Sequence, residues 1–209
     1  AGSGRQWSAL AAELGDRYTL HAPDLGGTAT RASLEEDVAI AEAALATAGA
    51  PAHLVGHSYG GAVALLAALR NPRAVASLVM YEPVPFWLLR RDAGGAGPGS
   101  ERSARAWREV RSVADGLASE FAAGRAGRAA RDFVDYWSGS GAWASMGARQ
   151  QEAVLQRMPG VLANFDCLSA ESVPLAAIAQ LPLPAMWIGG AVSREPPQRL
   201  GELLGAALP

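Results

Sequence analysis

A serine between two glycines, in the stretch AHLVGHSYGGAVALLAALR over residues 52–70, constrains the fold of this chain more than any other feature. A short apolar run precedes Gly56, and an alanine- and leucine-rich run follows Gly60. This order predicts a buried strand, a tight turn and a helix, with Ser58 on the turn. Glycine at both flanking positions lets the strand and the helix approach closely. A glycine-rich turn without a catalytic role is the alternative, but the flanking strand and helix favour a nucleophile.

The same alternation of apolar strands and helices continues along the chain. Strands are predicted over residues 18–24, 53–58, 76–83 and 183–190, and helices over 5–14, 33–49 and 61–71. Ser33 stands three residues before Glu36, which is the spacing of a capping box, and Gly49 is placed to end that helix. A turn is expected at Gly26-Gly27. These elements predict an α/β fold with a mainly parallel sheet and helices on both faces.

A glycine-rich segment and three further helices interrupt this alternation before the last strand. RRDAGGAGPGS, residues 90–100, predicts a flexible hinge. The helices are predicted over residues 101–124, 128–139 and 148–158, with the aromatic residues Trp107, Phe121, Phe133, Tyr136 and Trp137. Most of these rings are expected to pack inside an inserted helical cap, and one or two to face substrate. The predicted units are a core part over 1–89, the cap over 90–175 and a second core part over 176–209.

Composition excludes several classes of protein. The net charge is -2 and the basic side chains are scattered among acids, so no nucleic-acid surface is expected. No apolar run approaches the ~18 residues that would span a bilayer, so we expect a soluble, cytoplasmic protein without a membrane partner. Cys167 is expected to be a small buried apolar side chain. Because no metal-ligand cluster and no dinucleotide fingerprint are present in the sequence, neither a metal nor an organic cofactor is expected.

These motifs together resemble the α/β-hydrolase superfamily over nearly the whole chain. GHSYGG resembles the nucleophile elbow, LVMYEP the next strand, and WIGG the strand before the catalytic acid. The segment FVDYWSGSGAW is similar to the cap of small bacterial serine hydrolases. The resemblance implies that Ser58 is the nucleophile and that the backbone N–H of Tyr59 is an oxyanion donor. It also implies an ester or related small acyl substrate, hydrolysed through an acyl-enzyme.

The resemblance leaves the catalytic acid open. Its usual position after WIGG falls near Ser193, which has no carboxylate, and Glu195 follows two residues later. Glu82, after the preceding strand, is the candidate acid, because some family members keep their acid there. The alternative is that Glu82 orders the turn between its strand and the cap. Asp24 is expected to have a structural role in the turn after its own strand.

The general base is also unassigned by the resemblance. His21 lies within a predicted strand, His53 begins the elbow strand, and the ring of His57 is expected to point away from the serine. The family's histidine would come after Pro209, and its His-Gly oxyanion loop would come before Ala1. The chain is therefore expected to be truncated at both ends and inactive alone. The alternative is a non-catalytic binding protein on a degenerate hydrolase fold.

Family strand order implies a gap in the sheet. The strand that carries the family's oxyanion loop normally lies between the strand ending at Asp24 and the strand ending at Ser58. Without it, either YTLHAPD pairs directly with HLVGHS, or the gap stays open and exposes a sheet edge.

Overall fold

The computed structural model describes residues 3–25 and 33–208. Within these ranges the strands are Ala52–His57 (β1), Val75–Tyr81 (β2) and Ala185–Ile188 (β3). The α-helices of the same ranges are Ser8–Leu14 (α1), Leu34–Ala48 (α2), Tyr59–Arg70 (α3), Phe86–Ala93 (α4), Ser100–Ala122 (α5), Ala126–Ser138 (α6), Ala148–Ala170 (α7), Leu175–Ile178 (α8) and Glu195–Ala207 (α9). Short 3-10 turns occupy Gly4–Trp7 and Pro72–Ala74. The turn predicted at Gly26-Gly27 lies outside the described residues.

The three strands form one parallel sheet in the order β1-β2-β3. The register pairs His57 with Tyr81, and Tyr81 with Ile188. Because the strands are parallel, their carboxyl ends meet at one edge of the sheet, where α/β proteins usually place their sites. Ser58 and Glu82 follow β1 and β2 directly at this edge.

Helix α2 forms as its capping signals predict. The Ser33 side chain accepts a 3.3 Å hydrogen bond from the backbone N–H of Glu36, which satisfies a donor at the helix start. Gly49 ends the helix with φ of 68°, a left-handed conformation that glycine adopts without strain. Leu34, Val38 and Leu45 of α2 are buried. These observations confirm the helix predicted over residues 33–49.

Helices α3 and α9 pack on the same face of the sheet. Gly56 of β1 faces α3, and Trp187 of β3 lies against Gly201 of α9. Met80 of β2 pairs with both Gly56 and Trp187, so these two residues lie on the same face of the sheet. The side chains of the opposite face remain exposed: Val55 (42%), Tyr81 (44%), Met186 (57%) and Ile188 (42%). The sequence predicts helices on both faces, and among the described residues this second face lacks full helical cover.

The strand predicted over residues 18–24 does not form. This segment is irregular, and Tyr18 is half-exposed with its ring in edge contact with His53, 5.9 Å between centroids. Asp24 Oδ1 accepts a 2.6 Å hydrogen bond from the backbone N–H of Gly4. An apolar segment becomes a strand only when a neighbour pairs with its backbone groups. Of the two outcomes expected for the sheet, the open gap is the one observed in the described residues.

Four long or medium helices, α4 to α7, stand between β2 and β3. Residues 90–93 of the predicted hinge instead belong to α4, whose buried Phe86, Trp87, Leu88 and Leu89 anchor it in the core. Helix α7 is twice as long as predicted, because it continues through Pro159 to Ala170. The sequence pattern predicts this helix only to Met158, the residue before Pro159. Proline inside a helix removes a hydrogen bond. Here packing of the following buried face, including Val161 and Phe165, outweighs that loss.

An aromatic stack joins three of these helices. The Phe86 ring on α4 lies parallel to that of Phe165 on α7, 5.7 Å between centroids. It also stacks on Trp137 of α6 at 6.4 Å. The rings of Phe86 and Phe165 are buried, so they hold the helices to one another and do not form an open surface.

In the described part of the chain, no helix combines the length and the hydropathy that crossing a bilayer requires.

Candidate active site

Ser58 occupies a sharp turn between β1 and α3. Its φ and ψ are 53° and -122°, a region that side-chain-bearing residues rarely adopt. The Ser58 N–H donates a 3.0 Å hydrogen bond to the carbonyl oxygen of Tyr81, and its own carbonyl accepts a 2.9 Å bond from Gly61. Such strain persists only where the surrounding structure holds it, and it is concentrated at functional sites. The predicted elbow geometry is therefore present at Ser58.

Two glycines permit the close approach of strand and helix at this turn. A Cβ on Gly56 would lie 2.4 Å from the Gly60 carbonyl oxygen, and one on Gly61 would lie 2.8 Å from Pro83 Cβ. A Cβ on Gly60 would meet nothing closer than Leu25 Cδ1 at 3.7 Å, which is an ordinary contact. The sequence pattern correctly predicts that Gly56 permits a close approach. It assigned the second close approach to Gly60, whereas the structure has it at Gly61. The third glycine of GHSYGG, Gly61, was the available signal.

Tyr59 has separate uses for its backbone and its side chain. It is the first residue of α3, where a backbone N–H has no intrahelical acceptor and can face an anion. Its side chain is buried and donates a 2.6 Å hydrogen bond to Asp37 Oδ2 on α2. Burial raises the pKa of Tyr59, and the bond to Asp37 raises it further. The neutral phenol therefore anchors the start of α3 while the N–H remains at the turn.

Glu82 lies at the end of β2, next to the elbow. Its φ is 41°, and among residues 3–25 and 33–208 it shares a positive φ with just one other non-glycine residue, Ser58. Its N–H donates a 2.8 Å bond to the carbonyl oxygen of Ile188. Glu82 Oε1 accepts hydrogen bonds from the Gly190 N–H, at 3.0 Å, and from the Ser193 hydroxyl. These bonds fix the carboxylate to the turn after β3. The alternative to a catalytic role is that Glu82 orders the turn between β2 and the cap, and these two bonds do not go to that turn.

The other acidic candidates have partners elsewhere. Glu195 forms a two-pronged ion pair with Arg102 of α5, in which Arg102 Nη2 donates to Glu195 Oε2 at 3.2 Å. Asp24 accepts a hydrogen bond from the Gly4 backbone N–H, whereas the sequence pattern predicts that it orders the turn after a strand that does not form. Neither carboxylate shares a hydrogen bond with the elbow among the described residues.

Two of the histidines lie away from the elbow hydroxyl. The imidazole of His53 is hydrogen-bonded through Nδ1 to Ser77 Oγ, 2.7 Å away, at the start of the sheet. His21 is exposed in the irregular segment that follows α1. In the described portions of the chain, the Ser58 hydroxyl makes no hydrogen bond to either ring.

His57 immediately precedes the elbow but faces Tyr81. The two rings stack with 5.1 Å between centroids and 25° between planes. Burial lowers the pKa of His57, and the nearby Glu82 carboxylate opposes part of that shift. The stacking agrees with the expectation that this ring points away from the serine. His57 and Glu82 nevertheless interact electrostatically across the strand ends.

The described residues also allow a test for metal ligands. No group of three His, Cys, Asp or Glu side chains lies close enough to hold a metal ion in residues 3–25 and 33–208. Cys167 is half-buried on α7. The side chains of His57, Ser58 and Glu82 all follow or end β1 and β2 at the carboxyl edge of the sheet.

The sequence as a whole matches a family model. The model is that of the alpha/beta hydrolase family, and it covers residues 1–208. The chain belongs to the α/β-hydrolase family. The recognition made from the elbow, the neighbouring strands and the cap sequence is confirmed, and so is the α/β fold class with an incomplete sheet.

Solved structures of other hydrolases share the fold at low sequence identity. An alpha/beta hydrolase enzyme from a Medee basin deep-sea metagenome superimposes with a TM-score of 0.65 at 16% identity, over 100% of this chain and 74% of its own. A hydrolase from Pseudomonas aeruginosa gives 0.64 at 21%, over 99% and 74%. An alpha/beta hydrolase from Sphaerobacter thermophilus gives 0.60 at 18%, over 100% and 78%. No curated protein matches the sequence.

Proposed function

We propose that this α/β hydrolase cleaves an ester or a related small acyl compound through an acyl-enzyme on Ser58. The observation that carries the proposal is the strained backbone of Ser58 at the junction of β1 and α3. This conformation presents a hydroxyl at the carboxyl edge of the sheet, beside the N-terminus of a buried helix. Members of the superfamily that cleave carbon–halogen bonds or epoxides use a carboxylate at the elbow, whereas this chain has serine.

The proposed chemistry has two steps. The Ser58 oxygen bonds to the substrate carbonyl carbon and gives its proton to a base, while the backbone N–H of Tyr59 donates to the oxyanion. The bond to the leaving alcohol then breaks, and the alcohol departs with that proton. Water next adds to the acyl carbon, the bond to Ser58 breaks, and the acid product leaves with the serine hydroxyl restored.

Glu82 is proposed as the acid that orients the base. Three features support this role: its position beside the elbow, its positive φ and the hydrogen bonds that fix one carboxylate oxygen. A carboxylate held in this way can orient an imidazole and stabilise its charged form. Helices α4 to α7 are proposed to cap this edge of the sheet, with the Phe86 stack as their interior.

Hydrolysis of p-nitrophenyl esters by the natural protein that contains this sequence tests the proposal. We expect turnover of short acyl esters, lost in Ser58→Ala, and equal turnover by that variant would refute the role of Ser58. No histidine in the described residues bonds to Ser58, so none of the three is proposed as the base. Turnover that depends on His21, His53 or His57 would show that the base has been misplaced.

A non-catalytic binding protein is the second candidate. A different observation favours it: within residues 3–25 and 33–208 the Ser58 hydroxyl has no histidine partner. The two candidates differ in one measurement. Calorimetry that detects binding of an acyl compound without product formation by the natural protein would support binding, and time-dependent release of alcohol would support hydrolysis.

A further inference from the structure

The turn after β3 is built around the Glu82 carboxylate. Gly190 and Ser193 both donate to the same oxygen, Oε1, although they are far from Glu82 in sequence. Among the described residues the second oxygen, Oε2, has no hydrogen-bond partner. Two donors on one oxygen restrict the rotation of the carboxylate, so Oε2 is held in one direction. The turn therefore fixes the carboxylate and leaves one of its oxygens available.

Gly190 is suited to this arrangement by its lack of a side chain. A Cβ at this position would lie 2.6 Å from Ser193 Oγ and 3.1 Å from Glu82 Oε1. Both distances are shorter than ordinary van der Waals contact, so a side chain would displace one of the bonding groups. Glycine at position 190 therefore lets the hydroxyl and the carboxylate meet.

Ser193 is itself held on both sides. Its N–H donates a 3.2 Å bond to the Gly190 carbonyl, and its carbonyl accepts a 2.6 Å bond from the Gln198 side chain on α9. The next residue, Arg194, donates from Nε to the Tyr136 carbonyl at 2.5 Å and places its guanidinium 4.3 Å from the centre of the Tyr136 ring. Bonds from α9 to the Ser193 backbone and from Arg194 to α6 thus hold the segment that carries the hydroxyl.

From this geometry we infer that Ser193 is a positioning residue: its hydroxyl, with the Gly190 N–H, holds the Glu82 carboxylate in one orientation and leaves Oε2 free to orient a base. The inference rests on the proposed function, because it gives a purpose to the Glu82 carboxylate of that same site. In this role Ser193 acts on the carboxylate and not on the substrate. Its effect passes through Glu82.

Steady-state kinetics of the natural protein separate this role from a structural one. Loss of one hydrogen bond to a charged group predicts that Ser193→Ala lowers kcat about 10-fold while KM stays within about two-fold. Ser193→Thr keeps a hydroxyl and should restore most of kcat. Ser145→Ala is the matched control, because the Ser145 hydroxyl bonds to a backbone carbonyl in a separate turn. Thermal unfolding midpoints of all variants establish that each is folded.

A carboxylate exchange gives a second, independent test. Glu82→Gln should lower kcat by at least about 100-fold, since the base loses its orienting charge. Because Ser193 Oγ lies within hydrogen-bonding distance of Glu82 Oε1, a carboxylate at position 193 would sit close to the lost one. The double variant Glu82→Gln/Ser193→Asp should therefore recover part of kcat.

The outcomes distinguish this inference from the proposed function. Turnover that survives Ser58→Ala overturns both. If Ser58→Ala is inactive while Ser193→Ala has normal kcat, or while Ser193→Thr is as impaired as Ser193→Ala, the positioning role is wrong and the nucleophile stands. A change confined to KM also overturns it. Reduced kcat, rescue by threonine and recovery in the double variant together support it.

Discussion

The Tyr59 hydroxyl donates a 2.6 Å hydrogen bond to Asp37 Oδ2 within the core, and this bond ties the first residue of α3 to α2. The same residue offers its backbone N–H at the elbow, directly after Ser58. The side chain and the backbone of Tyr59 therefore make separable contributions, to stability and to the candidate oxyanion site.

Replacement of the Tyr59 side chain should affect stability without affecting Ser58. Tyr59→Phe removes a buried hydrogen bond, so we expect the free energy of unfolding to fall by about 1–3 kcal/mol in urea titrations. The backbone N–H remains, so the reaction of Ser58 should persist. A folded Tyr59→Phe protein whose serine no longer reacts would contradict this separation.

The same bond predicts a loss of stability in alkali. Burial and the Asp37 bond raise the pKa of Tyr59 in the folded protein. Above the ordinary tyrosine pKa of about 10, the unfolded chain releases the phenol proton and the folded chain retains it, so stability falls as pH rises. Unfolding free energies measured between about pH 9 and pH 11 should decline less steeply for Tyr59→Phe. Equal slopes would show that the phenol is not protected.

The interaction between His57 and Glu82 can be measured by NMR. Burial lowers the pKa of His57, and the Glu82 carboxylate raises it in opposition. Glu82→Gln removes that negative charge, so the His57 pKa should fall further in titrations of the ring Cε1–H resonance. His57→Gln assigns the resonance. A pKa that rises, or does not move, would place the carboxylate too far from His57 to act on it.

The glycines of the elbow should respond unequally to alanine. Gly56→Ala drives a methyl group against the Gly60 backbone, and we expect a loss of about 3 kcal/mol in unfolding free energy. Gly60→Ala is the matched control: it meets Leu25 at an ordinary distance and sits in a helix, so its effect should stay within about 1 kcal/mol. Similar losses in both variants would contradict the elbow packing described here.

The exposed face of the sheet predicts association. Met186 and Ile188 of β3 continue an apolar surface that begins at Val55 of β1. Contiguous apolar surface of this kind binds hydrophobic dyes and promotes aggregation. Met186→Lys/Ile188→Lys should reduce fluorescence of anilinonaphthalene sulfonate and slow aggregation, whereas Val192→Lys, exposed in a turn, should not. Equal dye binding by all three proteins would mean that this face is not the exposed one.

Features set by near neighbours in sequence were predictable here, and features set by distant partners were not. The Ser33 cap and the Gly49 terminus depend on residues a few positions away, and the Ser58 turn is signalled by the neighbouring Gly56. Residues 18–24 have the composition of a strand but lack a paired neighbour, so composition could not decide their structure. The contact of Glu82 with Ser193 spans 111 positions, and the sequence predicted Glu82 as a candidate acid without its partner.

The central claim is that Ser58 is the nucleophile, and covalent labelling tests it most directly. A fluorophosphonate probe should react with the natural protein that contains this sequence, and peptide mass spectrometry should place the adduct on Ser58. Ser145→Ala should label as the parent does, and Ser58→Ala should carry no adduct. Labelling of Ser58→Ala at the parent's rate, or an adduct on a different serine of the parent, would contradict the account.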